Sequence, residues 1–344
     1  MQPKYPTHDS GGYNPRMTTQ PIQNTIEAEG FLSIPVHTLR VDMVTSFSLW
    51  IAPRPGAAPV LYRGENLPFT EEIRERLESH GVTRLYVSNA EKELVRHYIE
   101  RNMEALLSDP EVPVEERSEL MYESAQHLVR EAMEDPRSGK LVERSSEMVP
   151  HMVSFIYNQK RSFQCLLRVC SHDYYTYTHS VNVFTYCVAL AQHLGCPEEE
   201  VKRFGLGALL HDVGKSSLPL DVINSPGQLS DEQWQLMRMH PVHGYDILVE
   251  QGMKDPIVLD VTRHHHEKLN GKGYPDRLAG DQISSWARIC TIVDIFDALT
   301  TRRSYKEARL SFESLQFMRA HMADEIDLNL FRGFVALMGQ QEKG

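Results

Sequence analysis

Ala208-Leu209-Leu210-His211-Asp212-Val213-Gly214-Lys215 is the stretch on which the reading of the fold turns. An apolar helical run ends there on an adjacent histidine and aspartate, Gly214 can supply the helix stop, and Lys215 follows. Taken alone, it is also what the polar end of an ordinary helix looks like. Burying a carboxylate costs several kcal/mol unless a cation or hydrogen bonds compensate it, and a metal ion would be such a cation.

Helical patterning surrounds this stretch. Residues 114–134 and about 141–170 carry helical spacing with many charges, and from there to the end the chain reads as helix after helix, with loops at 215–229 and 267–285. The start of the chain differs. Residues 1–28 are polar, interrupted by Pro and Gly and without hydrophobic periodicity, so they read as a disordered arm. From Phe31 to Ile51 β-branched and aromatic residues predict two strands, and Val60-Leu61-Tyr62 a third. Thr70 reads as the N-cap of a helix running to His80, with Gly81 as its stop, and Val82–Val87 as a strand. Ser88-Asn89-Ala90-Glu91 has the form of a capping box opening a helix to about Leu107.

The expected architecture is an α+β N-terminal domain over residues 30–107, a helical connector over 108–150, and an all-α helical bundle domain over 151–340. The first domain holds no cluster of ligands or nucleophiles, so a sensory, docking or regulatory role is expected of it.

Composition narrows the classes. The 344 residues include 36 Lys and Arg against 47 Asp and Glu, a formal net charge of −11. That balance disfavours an extended nucleic-acid track but leaves room for a small phosphate ligand in a local basic pocket. With 41% hydrophobic and 24% charged residues, the chain can bury a core. No window approaches a membrane span, and MQPKYPTHDSGGYNP lacks the apolar stretch of a secretory signal, so a cytoplasmic protein is expected. The 5 cysteines form no C-x-x-C pair and read as reduced core thiols.

Of 16 histidines, nine fall between His172 and His266. Arg263-His264-His265-His266-Glu267-Lys268-Leu269-Asn270-Gly271-Lys272-Gly273-Tyr274-Pro275 sets consecutive imidazoles before a loop with two glycines. Neighbouring residues on a helix diverge by about 100°, so both rings reach one site only at a helix end or around two metals. Ala287 to Leu299 is an apolar helix with Asp294 and Asp297 on one face, for which Arg288 is a candidate salt-bridge partner. His179 precedes a largely apolar helix to about Leu194. His240 ends a helix opened by a Ser230-x-x-Gln233 capping box, with Pro241 breaking the chain after it.

In combination, the HDVGK stretch, the histidine before Pro241, the HHE triplet, GKGYP and VDIFDA resemble the HD-GYP family of the HD phosphohydrolase superfamily, from about Ser171 to Tyr305 and more loosely to about 338. The resemblance implies an HD-type helical bundle that hydrolyses cyclic di-GMP. It implies a metal site of His179, His211, Asp212, His240, His265, His266 and Asp294, with Asp212 bridging two divalent ions, iron or manganese, and a metal-activated hydroxide attacking the phosphodiester. Asp212 and Lys215 would be catalytic, Lys215 stabilising charge on the scissile phosphate. Gly273, Tyr274 and Pro275 would shape the pocket mouth, Arg303 and Lys306 would hold the rest of the dinucleotide, and Asp297 would stand behind the metal ligands or face substrate. Arg303 and Lys306 read equally as solvated helix charges.

The chain departs from the family pattern in places. Tyr175 stands where some members add a glutamate for a third metal, so two metals are expected. Asn270 replaces a frequent aspartate and Ser304 a frequent proline, while His172, His193, His243 and His264 fall outside the pattern. The first domain resembles the small domain of unknown function that precedes some HD-GYP modules, which by analogy implies regulation, a homodimer or a signalling partner. The reading that follows is a phosphodiesterase opening cyclic di-GMP to pGpG and cutting again to GMP. Its rivals are a metal-containing cyclic di-GMP receptor with little turnover, and a hydrolase of another cyclic dinucleotide such as cyclic GMP-AMP.

Overall fold

The computed structural model describes residues 30–340 except 55, 139, 160, 171–175, 224, 226–227 and 302–309. The arm read over 1–28, and His172, Tyr175, Arg303, Ser304 and Lys306, lie outside the described residues. The chain divides into two compact units between Val95 and Arg96.

The first unit is α+β. Its strands are β1 (Phe31–Pro35), β2 (Met43–Thr45), β3 (Leu49–Ile51), β4 (Val60–Arg63), β5 (Leu67–Phe69) and β6 (Arg84–Ser88). Four make an antiparallel sheet in the order β1-β6-β3-β4, with Ile34 opposite Leu85, and β2 pairs β5 separately. Helix α1 (Glu71–Ser79) turns Ile73 and Leu77 into a core that includes Ile34, Leu49, Phe69 and Leu85.

Four expectations change here. Phe31–Ile51 makes three strands rather than two, because a 3-10 turn at Val36–Thr38 and Asp42 at φ 63° break the run and send β2 back to pair with β5. Thr70 precedes α1 in extended conformation but its side chain makes no cap bond. The box at Ser88–Glu91 does not close: Ser88 Oγ accepts from Ala90 N, while Glu91 Oε1 accepts from Ser48 N. The helix expected to reach Leu107 is α2 (Lys92–Arg101) and α3 (Met103–Ser108), broken at Asn102.

The second unit is all-α among its described residues. It takes in the end of α2 and all of α3, then α4 (Val114–Glu134), α5 (Leu141–Asn158), α6 (Ser162–Val169), α7 (Thr176–His193), α8 (Glu198–Leu210), α9 (Leu220–Ile223), α10 (Asp231–Met237), α11 (His240–Glu250), α12 (Pro256–His264), α13 (Ser285–Thr300), α14 (Ser311–His321) and α15 (Leu328–Gln340). The axis is α7, buried on all sides from Thr178 to Ala191, with α8, α13, α4 and α15 packed around it. A helix apolar all round belongs in a core, and this one carries its polar residues inward with it. Four cysteines are buried, Cys196 is half-buried, and all five are free. No helix among the described residues is long and apolar enough to cross a membrane.

Candidate metal centre

All the candidate ligands but Asp294, which lies inside α13, sit where helices begin or end. His179 is in the first turn of α7, and His211 and Asp212 follow the last residue of α8. A 3-10 turn (Val213–Ser217) then presses against α11 so closely that a Cβ on Gly214 would lie 1.9 Å from His240 O and 2.4 Å from Gly244 N. Gly214 thus serves close approach rather than stopping the helix. The Ser230–Gln233 capping box forms at the start of α10, but His240 opens α11 instead of ending α10, and Pro241 sits in the first turn, where its missing N–H costs nothing. His265 and His266 leave the end of α12, which lets adjacent rings converge, and Asp294 faces them from α13.

Asp212 lies at the centre. Its Oδ1 is 3.2 Å from His240 Nε2 and 4.0 Å from His265 Nε2. Its Oδ2 is 3.4 Å from His211 Nε2, 3.6 Å from His179 Nε2 and 2.5 Å from Lys215 Nζ. Asp294 closes the ring, with Oδ1 3.0 Å from His179 Nε2 and Oδ2 3.6 Å from His266 Nδ1. The donors gather as His240, His265 and His266 on one side and His179, His211 and Asp294 on the other, with Asp212 joining His211 and His265 between them.

Four of the rings are oriented through their far nitrogen. Nδ1 of His211 donates to Ala208 O at 2.7 Å, that of His240 to Met237 O at 2.7 Å, that of His265 to Thr262 O at 2.9 Å, and that of His179 to Asp297 Oδ2 at 2.7 Å. These partners place the proton on Nδ1 and leave the Nε2 lone pair facing inward. Lone pairs therefore face lone pairs: His240 Nε2 lies 3.1 Å from His265 Nε2, and buried His211 Nε2 and Asp212 Oδ1 have no hydrogen-bond partner. A bound cation would satisfy them all. The donor set of imidazole and carboxylate without thiolate suits a divalent transition ion, so the residues fit a metal site.

The electrostatics agree. Burial, reinforced by neighbouring positive groups, holds His240 and His265 well below the ordinary imidazole range, and it brings His266 down to about 4. Burial opposes ionisation of Asp212, but Lys215, His211 and His240 together outweigh it and hold the carboxyl well below its usual range. Asp294 follows the same pattern, with His179, His266 and His211 outweighing burial. Neutral imidazoles beside ionised carboxylates are the protonation states that metal ligation requires.

The glycine loop is held by a residue to which the sequence pattern assigned no role. Glu267 is buried, and its carboxylate accepts from Asp276 N at 2.7 Å and Leu278 N at 3.1 Å. Outside it, Arg263 makes a forked pair with Asp276, and His264 stands between Asp260 and Asp276. Gly273 lies so near the chain that a Cβ would fall 2.5 Å from Glu267 Cα. Tyr274, followed by Pro275 through a cis bond, stacks on His266 at 4.7 Å between ring centres, with Arg238 over its ring at 4.8 Å. Asp297 is 2% exposed and bonded to His179, Asn182 and Thr301, which places it behind the histidine ring. Arg288 is not its partner; it pairs with Asp281 and Asp327.

The sequence profile of the HD domain matches residues 147–330, and the chain belongs to that family. Among curated relatives, it is 35% identical over 222 residues to a cyclic di-GMP phosphodiesterase of Pseudomonas aeruginosa, covering 64% of this chain and 53% of the relative. It is 38% identical over 133 residues to 3'3'-cGAMP-specific phosphodiesterase 2 of Vibrio cholerae, covering 38% of this chain and 26% of the relative. The chain thus spans about half or less of the length of these relatives. Among solved structures, an HDG"Y"P protein from Bdellovibrio bacteriovorus superposes with a TM-score of 0.61 at 22% identity, covering 90% of this chain and 99% of that one, a likeness of fold.

Proposed function

We propose that the chain is a metal-dependent phosphodiesterase that hydrolyses cyclic di-GMP to linear pGpG and then to GMP, using two iron or manganese ions. The observation that carries this reading is the division of Asp212, whose Oδ1 faces His240 and His265 while its Oδ2 faces His179 and His211. A carboxylate so placed is suited to join two ions, one with His240, His265 and His266 and the other with His179, His211 and Asp294. When bound, such ions supply Lewis-acid stabilisation of phosphoryl oxygens and a water acidic enough to be a nucleophile at neutral pH.

The chain's own groups account for the remaining demands. Lys215, 13% exposed and anchored on Asp212 Oδ2, is placed to meet a phosphate oxygen and offset the charge that develops there. Tyr274, fixed by the loop that Glu267 holds, lines the mouth of the site beside His266. Gly273 and Pro275 set its position. Arg303 and Lys306 belong to this reading as contacts to the distal part of the dinucleotide. So do a regulatory role for residues 30–107 and a connector at 108–150, a cytoplasmic setting, and a homodimer or signalling partner through the first domain.

Product analysis tests the proposal. Protein purified without oxygen, supplied with Fe(II) or Mn(II) and incubated with cyclic di-GMP, is expected to yield pGpG and GMP, and Asp212→Ala to yield neither. Cyclic di-GMP left intact by metal-loaded protein would overturn it as the substrate and favour a receptor or a hydrolase of another cyclic dinucleotide. A second reading, 3'3'-cGAMP as substrate, is favoured by the relatives that carry that name. Faster turnover of 3'3'-cGAMP than of cyclic di-GMP would establish it.

A further inference from the structure

Behind His179 a chain of buried hydrogen bonds leaves the cluster and ends on a helix outside the family match. Tyr122 of α4 donates its hydroxyl to Asn182 Oδ1 at 2.8 Å, and Asn182 Nδ2 donates to Asp297 Oδ1 at 2.9 Å. Asp297 Oδ2 accepts from His179 Nδ1 at 2.7 Å and from Thr301 Oγ1 at 3.2 Å. All five side chains are buried. Tyr122 precedes the matched residues 147–330, and α4 packs along α7, where Arg130 also lies over the Tyr177 ring at 4.4 Å.

We propose that Tyr122 and Asn182 are positioning residues for His179, acting through Asp297, so that α4 sets how firmly one side of the cluster grips its ion. Three physical points support this. The Asn182 amide fixes one oxygen of Asp297 and so the plane in which the other meets the imidazole. An amide can be flipped, and the Tyr122 hydroxyl, donating to its oxygen, selects the orientation in which the NH2 faces Asp297. Linked hydrogen bonds strengthen one another, so the loss of one weakens the next. The rings of His240 and His265, in contrast, donate to backbone carbonyls rather than to a buried carboxylate.

The inference rests on the metal-binding reading of the cluster, and its test reads metal directly. Apoprotein of the full chain is titrated with Mn(II), and Co(II) absorption reports the ligand geometry. Asp297→Asn is expected to weaken the first-lost ion roughly 10- to 100-fold, the usual range for partners behind a ligand, and Tyr122→Phe by roughly 5-fold, a step further out. The Co(II) bands should shift in both. The double variant should bind no more weakly than Asp297→Asn alone, because both act through the same imidazole. Unchanged Mn(II) affinity and Co(II) bands in Tyr122→Phe would overturn the proposal, as would effects that simply add in the double variant. Unfolding by circular dichroism checks each protein. Should Tyr122→Phe fail to fold, Asn182→Ser interrupts the next link and carries the same expectations. Wild-type protein that bound neither ion would overturn the metal reading itself, a distinct result.

Discussion

His179 and His240 face the same aspartate, and what stands behind each ring differs. His240 and His265 donate to backbone carbonyls at helix ends, with the Thr291 hydroxyl of α13 donating to the His265 carbonyl as well. His179 donates to a buried carboxylate that is held in turn by an amide and a phenol from two helices. An anchor made of backbone is insensitive to side-chain substitution, whereas an anchor made of side chains can be tuned by changing them. The rings of one cluster thus carry different sensitivities.

The largest perturbation removes what both sides share. Asp212→Ala is expected to release metal and lower turnover by roughly three orders of magnitude or more, the scale of several kcal/mol of lost charge stabilisation, as checked by metal analysis beside product formation. Full activity in this variant would sink the shared-carboxylate picture. Lys215→Ala should leave both sides loaded while turnover falls by about 10²- to 10³-fold, separating the grip on metal from stabilisation of the reacting phosphate. Equal loss of metal and rate would assign Lys215 to the cluster instead.

Glu267→Gln acts beyond His266 alone. It leaves one backbone N–H of the loop facing an amide NH2, a loss of about 1–3 kcal/mol in denaturant unfolding, and KM should rise more than kcat falls. The smallest expected effect is a slope. His240, His265 and His266 all have lowered pKa values, the last from 6.5 to about 4, so between these limits the unfolded chain binds more protons than the folded one. Their contribution is present above pH 6.5 and lost as pH falls through about 4, and apoprotein melting temperature should decline across that window. A flat profile would mean that these three imidazoles titrate as if exposed.

What the sequence revealed follows the range of the interactions. Helix α4 was legible over Val114–Glu134 because its pattern repeats over five turns, and the Ser230–Gln233 box because both partners lie within one turn. Strands β2 and β5, three residues each, carry too short an alternation to show a period, and their pairing reaches across the intervening β3 and β4. In the cluster, His211 with Asp212 and His265 with His266 stood out as adjacent pairs, and the structure brings them together with His179, His240 and Asp294. Tyr122 and Asn182 did not stand out, since their contacts join positions 60 and 115 residues apart and only the fold creates them. Glu267 lay inside the quoted histidine run without a role because its partners are backbone amides, which every sequence supplies.

Gly214 has a consequence at the level of the gene. Every single-base change of a glycine codon that alters the residue, short of a stop, introduces a side chain with a Cβ, and a Cβ here would collide with His240 O at 1.9 Å. The codon therefore has no missense neighbour that leaves α11 where it is. Variation at this position is filtered by space before any chemistry is consulted, and the tolerance of an otherwise unremarkable residue is set by the helix that carries His240 past it.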